Sequence, residues 1–127
     1  MYSARLLDHF QNPRHAGELP AANFRVRQEN PVCGDVLELS ALTDDGHLAE
    51  IRFRAKGCVP AMACASALCE LAHGKSLSAV KGIKKEDVLS AVGGVPPASD
   101  HAAQLALDAL AALLRQAASP KDAAATR

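Results

Sequence analysis

Tryptophan is absent from this sequence, and one tyrosine with three phenylalanines make up all of its aromatic residues. The chain of 127 residues is nevertheless 49% apolar. A single domain of this size buries about two thirds of the surface that its unfolded chain exposes. Alanine, leucine and valine must therefore fill the core, and the helices that carry them are expected to pack closely.

The chain also lacks an excess of charge of either sign, since it has 14 basic and 14 acidic residues. Binding to a phosphate backbone depends on clustered lysine and arginine, so the composition argues against a nucleic-acid partner. No apolar run approaches the ~20 residues of a membrane span. The N-terminus lacks the order of segments found in a signal peptide. We therefore expect a cytoplasmic protein without a membrane partner.

Four cysteines are present, but no two of them have CxxC spacing. In a reducing compartment, cysteines favour metal binding or catalysis over a disulfide framework. A small buried thiol is the plain alternative for any one of them. Cys64 and Cys69 are predicted to be such core residues, because they lie in an apolar helix about 9 and 16 Å along its axis from Cys58.

The hydrophobic pattern predicts a single α+β domain over 1–117 with a disordered tail over 118–127. A first helix ends at Asn12-Pro13, with Leu6, Leu7 and Phe10 on one face. The other predicted elements are a strand over 24–28, a hairpin with arms 37–41 and 51–55 around a turn at 43–47, and helices over 59–74, 84–92 and 99–116.

Four potential metal ligands lie at the predicted ends of these elements. Residues i and i+2 of an extended segment point the same way, so Cys33 and Asp35 can aim at one point across Gly34. Cys58 lies at a strand-to-helix junction, where the helix N-terminus favours its thiolate. His101 falls in the first turn of the last helix, where a neutral imidazole can coordinate. The alternative is a turn followed by a strand, with a small buried thiol beside it.

The remaining histidines have no predicted partners, and a solvent-exposed or core position is expected for each: His9, His15, His47 and His73. Ser99 or Asp100 is expected to cap the last helix.

Five segments carry a resemblance to a known family: YSARLLDHFQNPRHAG, NPVCGDVLEL, IRFRAKGCVPAMACAS, HGKSL and VPPASDHAAQLALDAL. They look like the IscU/NifU-type scaffolds of iron–sulfur cluster assembly, and the resemblance runs over 2–114. It implies an α+β fold with a small three-stranded antiparallel sheet covered by helices, and a scaffold rather than an enzyme. It also implies a cysteine desulfurase as sulfur donor, apo iron–sulfur proteins as acceptors, and one site for a [2Fe–2S] cluster, iron or zinc.

Carried over residue by residue, the resemblance gives one ligand set: Cys33, Asp35, Cys58 and His101. Cys33 is then the candidate persulfide acceptor. Two positions depart from the family pattern. Ala102 stands where the third family cysteine follows the histidine, and Ser99 stands where a lysine is usual in the chaperone motif. The second departure weakens the expectation of an Hsp70-type chaperone partner.

Three functions follow from this set of residues. The first is a cluster scaffold, although a set of two thiolates, a carboxylate and an imidazole suits tetrahedral zinc at least as well. The second is a zinc-dependent sulfur acceptor in which Cys33 carries a persulfide. The third is a non-catalytic interaction protein that keeps the fold.

Overall fold

The computed structural model describes residues 2–31 and 34–118. Its elements in chain order are α1 Ala4–Gln11, β1 Phe24–Glu29, β2 Val36–Asp44, β3 His47–Lys56, α2 Val59–Ala72, α3 Leu77–Lys81, α4 Lys85–Ala91 and α5 Asp100–Ala118, with a 3₁₀ turn at Pro97–Ser99. The three strands form one antiparallel sheet in the order β1-β2-β3. The predicted α+β fold is confirmed.

Strands β2 and β3 form the hairpin that the alternating residues predicted, with Leu39 opposite Phe53. Only Asp45 and Gly46 connect the two strands, and their φ angles are 51° and 76°. Positive φ at both positions is the requirement of a type I′ turn, which matches the twist of the flanking strands and favours Asp-Gly. The turn residues therefore set the pairing next to the turn, where Asp44 lies opposite His47 and Thr43 opposite Leu48. An irregularity between Leu42 and Thr43 then shifts the register of the remaining pairs by one residue.

Helix α2 is the centre of the core and contacts α1, α5 and β3. It is apolar on nearly every side, and most of its residues are buried, which confirms the prediction that it lies inside the protein. Helix α5 contacts α2, β1 and β2, and it buries Leu105, Leu110 and Leu113. No helix in the described part of the chain is long and apolar enough to cross a membrane.

Helix α1 turns most of its predicted face to the core, since Phe10 packs against the core beside Leu6, but the prediction is wrong for Leu7. Leu6 is buried, but Leu7 is 38% exposed and His9 is only 5% exposed. The His9 Nδ1 atom lies 2.9 Å from Ser66 Oγ on α2, and this hydrogen bond satisfies the buried imidazole. A polar residue thus takes the core position that hydrophobicity alone assigns to Leu7.

The structure also differs from the sequence prediction in two other places. Helix α3 was not predicted; its start is capped by Ser76, whose Oγ accepts a hydrogen bond from Ala79 N–H at 3.1 Å. Helix α5 continues to Ala118, two residues beyond its predicted end and into the segment assigned to the tail. The rest of that tail, 119–127, lies outside the described residues.

Candidate metal centre

Asp35 lies directly before β2 and is buried, with 3% of its surface exposed. Two backbone hydrogen bonds close the loop around it: Asn30 N–H donates to the Asp35 carbonyl at 2.8 Å, and Gly34 N–H donates to the Asn30 carbonyl at 2.7 Å. Gly34 has φ +75°, a backbone conformation that residues with a side chain rarely adopt. A Cβ atom on Gly57 would lie 2.3 Å from Asp35 Oδ1. Both glycines are therefore needed to place this carboxylate.

Cys58 occupies the N-cap position of α2, in extended conformation, with a proline following in the first turn of the helix. Its backbone N–H donates to Asp35 Oδ1 at 3.2 Å, and its Sγ donates to Asp35 Oδ2 at 3.3 Å. The N-terminus of a helix carries partial positive charge, which favours a carboxylate and a thiolate beside it. Asp35 thus caps the start of α2 from outside the helix.

His101 is the second residue of α5 and brings its Nε2 atom to 3.5 Å from Asp35 Oδ2. One third of its side chain is exposed, so the imidazole closes the solvent side of the cluster. Asp100, one of the two residues expected to cap the last helix, is the first residue of α5, and its carboxylate pairs with Lys85 Nζ. The sequence did not predict a role for Lys85, because its ion pair with Asp100 joins two separate helices, α4 and α5.

One donor atom from each of Asp35, Cys58 and His101 lies within 4.8 Å of the other two. Among the described residues this is the only set of three or more such donors that converges. A carboxylate, a thiolate and an imidazole are all zinc ligands, and the thiolate also suits iron–sulfur clusters. Metal binding would displace the thiol proton that Cys58 shares with Asp35. Cys33 lies outside the described residues, so its place in this set stays a prediction.

The other two cysteines are buried in α2 with no measurable exposure, as predicted. Burial raises the pKa of Cys64 to about 12, and burial also raises the pKa of the Cys69 thiol. Thiols that cannot ionise near neutral pH are poor ligands and poor nucleophiles. Both therefore belong to the core.

Ala102, the position of the absent third cysteine, is 1% exposed and belongs to the buried face of α5. On the solvent side of His101, a cavity of about 370 Å³ opens between α4, α5 and the loop that leads to Asp35. Its lining is mixed in charge and includes Glu29, Lys85, Asp100 and Asp108. The candidate centre therefore opens at His101 onto a cavity with charged walls.

Comparison with known proteins places the chain in a family. Residues 1–120 match the family model described as the NifU-like N terminal domain. The chain is 38% identical over 110 residues to the iron-sulfur cluster assembly scaffold protein IscU 1 of Archaeoglobus fulgidus, covering 87% of this chain and 72% of that protein. It is 34% identical over 131 residues to the iron-sulfur cluster assembly scaffold protein IscU of Escherichia coli, covering 96% and 98% of the two chains.

Solved structures share the fold. The crystal structure of the N-terminal part of a nitrogen-fixing NifU-like protein from Brucella abortus has a TM-score of 0.74, at 18% identity, over 90% of this chain and 92% of that one. At 18% sequence identity, this similarity is evidence for the fold only. The family model and the two sequence relatives together establish that this chain is a member of the IscU/NifU family.

Proposed function

We propose that this protein is a scaffold on which an iron–sulfur cluster is assembled from iron and from sulfur delivered by a cysteine desulfurase. The observation that carries the proposal is the convergence of Asp35, Cys58 and His101 within 4.8 Å, in a chain of the IscU/NifU family. The relatives named above are themselves called scaffold proteins. Apo iron–sulfur proteins would then receive the finished cluster.

Each ligand has a distinct task in this proposal. The thiolates of Cys33 and Cys58 are the soft ligands that hold iron, a [2Fe–2S] cluster or zinc. Asp35 is a harder oxygen ligand that exchanges more readily, which favours release of the cluster. His101 completes the set from the solvent side, where its side chain is one third exposed.

Sulfur delivery is assigned to Cys33. Its thiolate attacks the outer sulfur of the desulfurase persulfide, the sulfur–sulfur bond of the donor breaks, and the donor cysteine leaves as a thiolate. The product is a persulfide on Cys33, and no external oxidant or reductant is consumed. This role rests on the position of Cys33 in the family motif.

Ala102 supports a second candidate function, a zinc-dependent sulfur acceptor. With alanine at this position the proposed set has two thiolates rather than three, and such a mixed set suits tetrahedral zinc at least as well as a cluster. Zinc would hold the thiolates in place while Cys33 receives and passes on sulfur.

Anaerobic purification with iron, zinc and sulfide measured on one sample separates the two functions. A scaffold is expected to carry iron and sulfide in equal amounts after incubation with a desulfurase, cysteine, iron(II) and an excess of a thiol reductant, which reduces the delivered persulfide sulfur to sulfide. Its visible absorption should then move to an apo acceptor. A zinc-dependent acceptor is expected to keep one zinc and gain one sulfur atom on Cys33, detected by mass spectrometry.

The matched variants are Cys58→Ala and Cys64→Ala. Each removes one thiol from α2 or its N-cap, but only Cys58 lies in the candidate centre. Cys58→Ala should abolish metal and cluster binding, whereas Cys64→Ala should leave both unchanged. Equal binding by the two variants, with their folds intact, would rule out the proposed centre.

A further inference from the structure

The start of helix α5, which carries His101, is tied to helix α4 by an ion pair. The carboxylate of Asp100, the first residue of α5, pairs with the Nζ atom of Lys85, the first residue of α4. His101 is the next residue and brings its Nε2 atom to 3.5 Å from Asp35 Oδ2. One pair therefore joins α4 to the helix end that supplies a proposed metal ligand.

The chain that connects the two helices does not by itself fix this end of α5. It contains Gly93 and Gly94, whose φ angles are 70° and 90°, and glycine has more backbone freedom than any other residue. Among the described residues, no side chain caps the 3₁₀ turn at Pro97–Ser99. The ion pair of Lys85 with Asp100 is thus a side-chain link that joins the two helices directly across this connection.

Lys85 lies beside the candidate centre. Together with His101 it lines the cavity of about 370 Å³, and it is the only lysine or arginine among the described residues that do so. The N-terminus of a helix carries partial positive charge, so a lysine there gains nothing from its own helix. The Lys85 side chain is 30% exposed and that of Asp100 is 54% exposed. Because an ion pair at this exposure contributes little to global stability, its effect is local.

We propose that Lys85 is a positioning residue for the candidate centre: through Asp100 it holds the His101 imidazole beside the other ligands before a metal arrives. One third of the His101 side chain is exposed, so the imidazole has room to turn towards solvent once the start of α5 is released. Ordering a side chain on binding costs affinity, and a ligand that is already in place avoids that cost. The inference rests on the proposed function only where it treats His101 as a ligand.

The first test needs no metal. In NMR spectra of the full metal-free chain, the His101 ring protons should show nuclear Overhauser contacts with the Asp35 β protons. Lys85→Met removes the charge but keeps an unbranched side chain, and these contacts should be lost in it and in Asp100→Asn. Lys85→Arg keeps the charge and should retain the contacts. Lys81→Met is the control, because Lys81 is an exposed residue at the end of α3 and lies outside the cavity.

The second test measures cobalt(II) binding by visible absorption. Lys85→Met should bind cobalt about three- to fivefold more weakly than the wild type, the size expected for an ion pair at this exposure, whereas Lys85→Arg and Lys81→Met should equal the wild type. In a His101→Ala background, Lys85→Met should cause no further loss, because Lys85 acts through His101. The urea midpoint of Lys85→Met should stay at the value of the wild type.

Two outcomes would overturn the proposal. One is that the contacts between His101 and Asp35 are absent from the wild type or unchanged in Lys85→Met. The other is that Lys85→Met loses as much cobalt affinity in the His101→Ala background as it does in the wild type. A wild-type chain that binds no cobalt would instead contradict the proposed function, and the contacts in the metal-free chain would still decide the role of Lys85.

Discussion

Cys58 donates two hydrogen bonds to one carboxylate, that of Asp35: its backbone N–H to Oδ1 at 3.2 Å and its Sγ to Oδ2 at 3.3 Å. The same Oδ2 atom lies 3.5 Å from His101 Nε2. Asp35 is thus the member of the cluster that contacts both of the others. A substitution that moves its carboxylate should therefore disturb the whole candidate centre.

Gly57→Ala is the first prediction, because it tests this dependence without removing a ligand. The new Cβ would lie 2.3 Å from Asp35 Oδ1, so the carboxylate or the β3–α2 junction must shift. Overpacking of this kind destabilises by about 1–3 kcal/mol. We expect a lower unfolding free energy in urea and weaker zinc binding, measured by competition with a chelator.

Gly82→Ala is the matched control for that experiment. Its Cβ would meet the Ala79 carbonyl oxygen at 3.3 Å, a much milder contact, and it lies outside the candidate centre. Zinc affinity in Gly82→Ala should equal that of the wild type. Unchanged zinc affinity in Gly57→Ala would show that the position of Asp35 does not control binding.

Ala102→Cys is expected to move metal preference from zinc towards a [2Fe–2S] cluster. The added thiolate would follow His101 in the first turn of α5, and thiolate is a better ligand than imidazole for the irons of a cluster. Reconstitution with iron(II), cysteine, a desulfurase and a thiol reductant that reduces persulfide sulfur to sulfide should give a higher cluster yield by visible absorption. Adding Asp35→Ala should then slow the loss of the cluster to an apo acceptor, if the carboxylate is the exchangeable ligand.

Ala103→Cys is the control for Ala102→Cys, because residue 103 is equally buried but lies about 100° further round the helix. It should leave the cluster yield at the wild-type level. A yield in Ala102→Cys no higher than in Ala103→Cys, in folded proteins, would favour the zinc-dependent sulfur acceptor over the scaffold.

Thiol reactivity should separate the cysteines of α2 from the one at its N-cap. Burial raises the pKa of Cys64 to about 12, and Cys69 has no exposed surface. In the metal-free folded protein at pH 8, a maleimide should label Cys58 within minutes and leave Cys64 and Cys69 intact until urea unfolds the chain. Peptide mass spectrometry assigns the labels, and rapid labelling of Cys64 in the folded chain would contradict the core assignment.

His9 should make the stability of the metal-free protein dependent on pH. Burial, and then the charge of Arg14, lower its pKa below the ordinary value of about 6.5. The unfolded chain therefore takes up the proton more readily than the folded chain. The contribution of His9 to stability is complete above pH 6.5 and is lost as the pH falls through 6.5 towards the folded-state pKa.

Urea unfolding at pH 8 and pH 5, with chelator present, tests whether the unfolding free energy falls with the pH as expected. The wild type should lose more unfolding free energy between the two pH values than His9→Asn, in which this group no longer titrates. His47→Asn, at an exposed position, should keep the wild-type dependence. Equal losses in the wild type and His9→Asn would mean that His9 does not control acid stability.

The sequence by itself determined the local elements. Asp45-Gly46 and the alternating residues on either side specify the β2–β3 hairpin, because the turn favours positive φ at two positions and the alternation marks the buried face. The register shift between Leu42 and Thr43 was not predicted. Pro60 in the first turn of α2 places Cys58 at the N-cap. The predicted ends of the elements, and then the family motif, indicated which of the five histidines belongs with Asp35 and Cys58.

Only the tertiary structure decided which distant side chains meet. His9 is hydrogen-bonded to Ser66, which lies 57 residues further along the chain. Lys85 forms an ion pair with Asp100, and the rings of His15 and His73 stack. Hydrophobic periodicity predicts which face of an element is buried. It does not predict a hydrogen-bond or ion-pair partner that lies on a neighbouring helix. That partner is set by how α1, α4 and α5 pack around α2 and the sheet, a long-range arrangement that no local pattern of residues encodes.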